Sequence, residues 1–140
     1  MRGRAILLAL ASGALAAFAV DASQSCEAPR GFQPNGRLES SDVVVLFRTV
    51  PPTIEIGRHF TVEAVVCSRA PAPMPTRLRV DALMPEHRHG MNYRPTVVKG
   101  GDGVYVAEGM LFHMPGRWQL LFDVERDGRV ERLSTDLELE

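Results

Sequence analysis

The sequence predicts an all-β chain: an immunoglobulin-like antiparallel β-sandwich of about seven strands, preceded by a cleaved signal peptide. Three observations predict it. Apolar residues recur with period two in several short runs, the i, i+3, i+4 spacing of an amphipathic helix is absent from residue 42 onward, and Gly, Pro and Asp clusters punctuate the runs. Six or seven short strands in about 100 residues with turn signals between them suit a sandwich, with a small closed barrel as the alternative. The whole chain has 140 residues, 45% hydrophobic and 24% charged, which is enough for one domain and not for two.

The first element is an export signal rather than part of the fold. Arg2 and Arg4 form a short basic start, and Ala5 to Val20 is an uncharged run rich in Ala and Leu. At 16 residues it is shorter than the roughly 20 that span a bilayer comfortably as a helix. Small residues follow at Ala17-Phe18-Ala19 and at Val20-Asp21-Ala22, as signal peptidase requires. A retained N-terminal anchor is the alternative. A lipoprotein is disfavoured because Ser23-Gln24-Ser25 before Cys26 is not a lipobox. The boundaries are therefore a signal peptide over 1–22, an extended leader over 23–41 and the sandwich over 42–140. The expected location is the periplasm or another exported compartment, with no membrane span in the mature chain.

Export decides how the cysteines are read. Cys26 and Cys67 are the only two, there is no CxxC, and an oxidising compartment favours joining them. Such a bridge closes a loop of about 42 residues and contributes on the order of 4 kcal/mol by the chain-entropy argument.

The strands follow in order. Val43 to Phe47 and Val104 to Phe112 are more uniformly apolar, as fits strands covered on both sides or lying near the domain centre. Phe60, Val62, Ala64 and Val66 alternate with Thr61 and Glu63. Leu78, Val80, Ala82 and Met84 alternate with Arg77, Arg79 and Asp81, so Met84 reads as the last core residue of its strand. Trp118, Leu120, Phe122 and Val124 form the clearest inward face, set against Gln119, Leu121, Asp123 and Glu125. Leu133, Thr135, Leu137 and Leu139 repeat the pattern at the end. Asp127-Gly128 between the last two runs is the strongest short hairpin signal. Gly100 to Gly103 marks another turn, and Pro51-Pro52 and Pro71, Pro73 and Pro75 stiffen two loops.

One segment carries chemistry that strands do not need. Met84-Pro85-Glu86-His87-Arg88-His89-Gly90-Met91 sets two histidines two apart between two methionines, and His113-Met114-Pro115-Gly116 lies in a second loop. Imidazole is a good ligand for Cu(II) and Zn(II), and the soft thioether of Met selects Cu(I). In an extended segment His87 and His89 point the same way, so both reach one ion if the loops meet, with His113, Met91 or Met114 completing it. Taken singly, each residue has a plainer reading as an ordinary loop or core side chain, and Met114 beside Pro115 packs equally well under a turn. His59 sits on an outward strand position and reads as structural. Arg88, a cation between the two histidines, opposes a nearby metal charge.

The runs MPEHRHGMNYRP and GDGVYVAEGMLFHMPGRWQLLFDV resemble the YtkA-like family of exported bacterial domains, closely over about 84–124 and loosely before it. The resemblance implies an immunoglobulin-like sandwich related in shape to small periplasmic copper-resistance proteins. It also implies copper handling through His87, His89, Met91, His113 and Met114.

The function classes narrow accordingly. Sixteen Lys and Arg against 17 Asp and Glu, with no basic run, argue against nucleic acid and against anionic membrane surfaces. No HExxH, GxSxG or glycine-rich phosphate loop occurs, so the expectation is a binding protein and not an enzyme. The two readings are an exported copper-binding or copper-handling protein, and a metal-free interaction module that docks onto an envelope protein partner.

Overall fold

The computed structural model describes residues 25–69 and 71–140. The predicted signal peptide, within 1–22, lies outside the described residues, as do Ser23 and Gln24. Nine strands follow in order: β1 Gly36–Glu39, β2 Val43–Val50, β3 His59–Ser68, β4 Arg77–Met84, β5 His89–Gly90, β6 Thr96–Lys99, β7 Tyr105–Leu111, β8 Gly116–Arg126 and β9 Arg129–Leu139. No helix occurs among the described residues.

All pairings are antiparallel and form two sheets, β1-β2-β3-β7-β6 and β5-β4-β8-β9. Stripped of β1 and β5, the orders β2-β3-β7-β6 and β4-β8-β9 are those of the two sheets of a constant-type immunoglobulin domain. The expected seven strands are therefore present, and the count is corrected to nine by two short additions. β1 lies within the extended leader expected over 23–41: residues 36–39 register against β2 from Gly36↔Phe47 to Glu39↔Val44. The sandwich thus begins before residue 42, and Leu38 packs on its core.

The inner faces of both sheets supply one core. Phe47, Phe60, Tyr105, Phe112, Trp118 and Phe122 are its aromatic members, with Val62, Met84, Met110 and Leu120 among the others. Every residue of the expected inward face of β8, from Trp118 to Val124 by twos, is fully buried. Leu121 breaks the alternation. It lies on the outward parity, between Asp81 and Ser134 across the sheet, yet is only 5% exposed.

The apolar Val43–Phe47 run of β2 is covered on both faces. Val43, Val45 and Phe47 enter the main core, while Val44 and Leu46 join Val65 and Val104 in a second cluster on the outer face. The leader lies over that cluster, placing Cys26, Ala28 and Phe32 on it. A disulfide joins Cys26 to Cys67 at the end of β3 and fastens the strap. Arg48 stands over the Phe32 ring, 4.7 Å from its centroid, and pairs with its cross-strand neighbour Glu63 at 2.7 Å.

The β8–β9 hairpin turns at Asp127-Gly128, both in the left-handed region with φ of 46° and 72°. That is the two-residue turn whose twist matches the flanking strands, and it favours Asp-Gly because few other pairs tolerate two positive φ values. The hairpin sets the register of eleven pairs, from Gly116↔Leu139 to Arg126↔Arg129.

Candidate metal centre

Both histidine-bearing loops lie at one end of the sandwich. β4 ends on Met84, which is 1% exposed. The chain then reverses within four residues: the amides of His87 and Arg88 both donate to the Met84 carbonyl, at 3.2 and 2.9 Å, and Arg88 takes φ 56°. It returns as β5, pairing His89 with Met84 and Gly90 with Leu83, and the Met91 amide donates to the Ala82 carbonyl. The segment is therefore a tight hairpin and not the extended run expected from His-X-His spacing. His87 sits exposed at the turn and His89 half-buried in the strand. The sharp bend falls at Arg88.

The second loop closes over an indole. Phe112, fully buried at the end of β7, stacks on Trp118 with centroids 4.5 Å apart and planes inclined by 19°. His113, Met114 and Pro115 connect it to Gly116 at the start of β8, and the Trp118 indole N–H donates to the Met114 carbonyl at 3.0 Å. Gly116 has φ 114°, and a Cβ there would stand 3.0 Å from the Met84 Cε. The conformation favours glycine, and any larger residue would also press on the first loop's core methionine.

Around Trp118 the imidazoles come together. The His89 ring lies 5.3 Å from that of His113 and 5.7 Å from that of His87. His89 and His113 both meet the Trp118 ring edge-on, at 6.0 and 5.4 Å. Two imidazoles sharing one ion through bonds of about 2.0 Å have centroids about 5–6 Å apart, so the rings have the required spacing. They do not have the convergence: among the described residues no group of three or more His, Cys, Asp or Glu side chains is aimed at one point.

The nitrogens are not equivalent. His89 Nδ1 is 3.0 Å from the Gly90 carbonyl; as the donor of that bond it leaves Nε2 with the free lone pair, the usual second contact of a ligating histidine. His113 Nδ1 is buried and has no hydrogen-bond partner among the described residues. A buried polar atom without a partner costs on the order of 1–3 kcal/mol, so the site carries an unmet demand at that atom. Met91 and Met114 are half-buried against the main core, which seats both thioethers on a rigid base. Arg88 is exposed, and Glu86 on the same loop pairs at 3.3 Å with Arg117 of β8, which also reaches Asp136 at 3.2 Å. His59 lies elsewhere, at the start of β3, beside Tyr93 at 6.0 Å.

All three loop histidines are thus gathered, His59 is not among them, and the wall they share is one the sequence did not disclose. Trp118 and Phe112 read only as core. Their second role follows from the five-residue step from His113 to Trp118, which folds the loop back onto the ring.

Fold and site together define a class: an immunoglobulin-like sandwich with a histidine cluster built on a buried tryptophan at one end. The YtkA-like family model matches residues 39–122, which include both histidine loops, and the chain belongs to that family. No curated protein matches it. Among solved structures, it is similar to a DUF4426 family protein from Pseudomonas aeruginosa, with a TM-score of 0.50 and 11% identity, over 74% of this chain and 93% of that one. At that identity the likeness is one of fold.

Proposed function

We propose that this is an exported copper-binding protein that takes one ion between its two histidine loops and does no chemistry on it. One observation carries the reading: His113 Nδ1 is buried with no hydrogen-bond partner among the described residues, on a ring 5.3 Å from that of His89. With His89 Nδ1 donating to the Gly90 carbonyl, its Nε2 is the nitrogen that ligates. His89 and His113 supply the nitrogen ligands, His87 at the exposed turn is the ligand first met from solvent, and Met91 or Met114 supplies the soft donor that favours Cu(I). Binding requires the His89 and His113 rings to turn until their nitrogens meet at a common point, while His87 at the exposed turn is the ligand with room to follow.

Export is supported by the basic start and short apolar run, by the disulfide between the only two cysteines, and by family membership. No helix among the described residues is long and apolar enough to cross a membrane.

The chain's single tryptophan is the wall of the site, so binding is read directly. Titration of the purified protein with Cu(I) and then Cu(II) is expected to change Trp118 fluorescence and to saturate at one ion per chain. A tryptophan signal that stays flat, with no copper retained after desalting, returns the protein to the metal-free interaction module.

A further inference from the structure

We propose that the open edge of β4 is a docking site for an extended acidic peptide segment of a partner protein. β5 covers β4 only at Leu83 and Met84, so from Arg77 to Asp81 one side of β4 has no neighbouring strand among the described residues. The direction of its backbone groups is fixed by Ala82, whose carbonyl accepts from the Met91 amide on that side. Alternate residues of a strand point the same way, so the backbone groups of Leu78 and Val80 face the open edge. Their side chains are buried in the core, 2% and 4% exposed, and it is their main chain that borders the groove there. The groove has a volume of about 460 Å³, and Pro95 and Val97 form its far wall.

Charge selects the occupant. Four arginines, Arg77, Arg79, Arg94 and Arg132, line this groove against two aspartates, Asp81 and Asp123, in a chain whose net charge is −1. Asp123 is held by Arg132 through two hydrogen bonds of 2.6 and 2.8 Å, and Asp81 accepts from the Ala82 amide at 2.8 Å. Arg77 stands 3.9 Å from Glu125. Arg79 and Arg94 are exposed and have no ion-pair partner among the described residues. Two exposed guanidinium groups outside any salt bridge, Arg94 and an Arg79 that acts on Asp123 only at longer range, stand beside an unpaired strand edge and offer carboxylates a bidentate partner and a peptide backbone a ladder. The Asp81 carboxylate, which occupies the Ala82 amide, ends the ladder and guards the rest of the edge.

The test uses a fluorescein-labelled hexaglutamate peptide, read by polarisation, with hexalysine as the opposite-charge control. Hexaglutamate is expected to bind and hexalysine not to, with affinity falling as salt is raised. Arg79→Glu with Arg94→Glu should weaken binding more than tenfold, and Arg79→Gln with Arg94→Gln should weaken it less. Arg58→Glu with Arg129→Glu, exposed positions outside the groove, should leave it unchanged. Unaltered binding in both groove variants overturns the proposal, as does equal loss in the control pair. Inorganic phosphate that displaces the peptide at equal molar concentration also overturns it, because the site is then one for small oxyanions.

Discussion

Phe122→Ala beside Gln119→Ala is the sharpest test of the packing that holds the histidine end in place. Phe122 is fully buried, lies across from Val80 on one side and Leu133 on the other, and its ring centroid is 4.9 Å from that of Phe47 in the opposite sheet. A phenylalanine buries 150–250 Å² or thereabouts, which at about 25 cal/mol per Å² is roughly 4–6 kcal/mol for the whole side chain. Truncation keeps the Cβ and lets the walls relax in part, so the expected loss is about 3–5 kcal/mol. Gln119 is the outward neighbour, and its amide makes one exposed hydrogen bond to Asp136 at 3.3 Å. Its replacement should cost under about 1 kcal/mol. Urea denaturation followed by Trp118 fluorescence measures both, and at roughly 3–6 °C per kcal/mol a thermal scan separates them clearly. Equal midpoints, or a larger loss at Gln119, would refute the assigned faces of β8.

Two further outcomes are expected. Replacing Cys26 and Cys67 together by alanine should lower stability by about 2–4 kcal/mol, and thiol labelling of the denatured, unreduced protein should modify nothing; two reactive thiols would contradict the strap. The Arg132 guanidinium, hydrogen-bonded to Asp123 and helped by Arg79, holds the Asp123 carboxyl below the ordinary aspartate value of 3.8. A lowered folded pKa means that the unfolded chain binds the proton first. The pair's contribution is therefore complete above the unfolded value and is lost as the pH falls from there through the folded one. Arg132→Ala should flatten that acid-side loss in denaturation curves taken downward from about pH 5, and an unchanged slope would remove the pair from the account.

Much of the fold is legible in the sequence because side-chain parity is a local property. The inward face from Trp118 to Val124, the doubly covered Val43–Phe47 run and the Asp127-Gly128 turn each declare themselves within a few residues. β1 does not, because Gly36-Arg37-Leu38-Glu39 has one apolar residue and becomes a strand only by pairing with β2. β5 is two residues long and carries no period at all. The site was legible in part and for a mistaken reason. His-X-His spacing suggested convergence along an extended chain, whereas a left-handed Arg88 folds that chain into a hairpin. The company of His113 and Trp118 depends on β4 pairing with β8, from Arg77↔Glu125 to Leu83↔Gln119. The groove beside β4 is likewise a consequence of how short β5 is, which only the pairing reveals.

The central claim is that His89 and His113 hold a copper ion. Competition of the purified protein against a moderate Cu(I) chelator, wild type beside His89→Ala with His113→Ala, tests it most directly. Wild type is expected to withdraw one copper per chain and the double variant none, while His59→Ala behaves as wild type. A wild type that leaves the copper on the chelator, or a double variant that withdraws it equally well, contradicts the account.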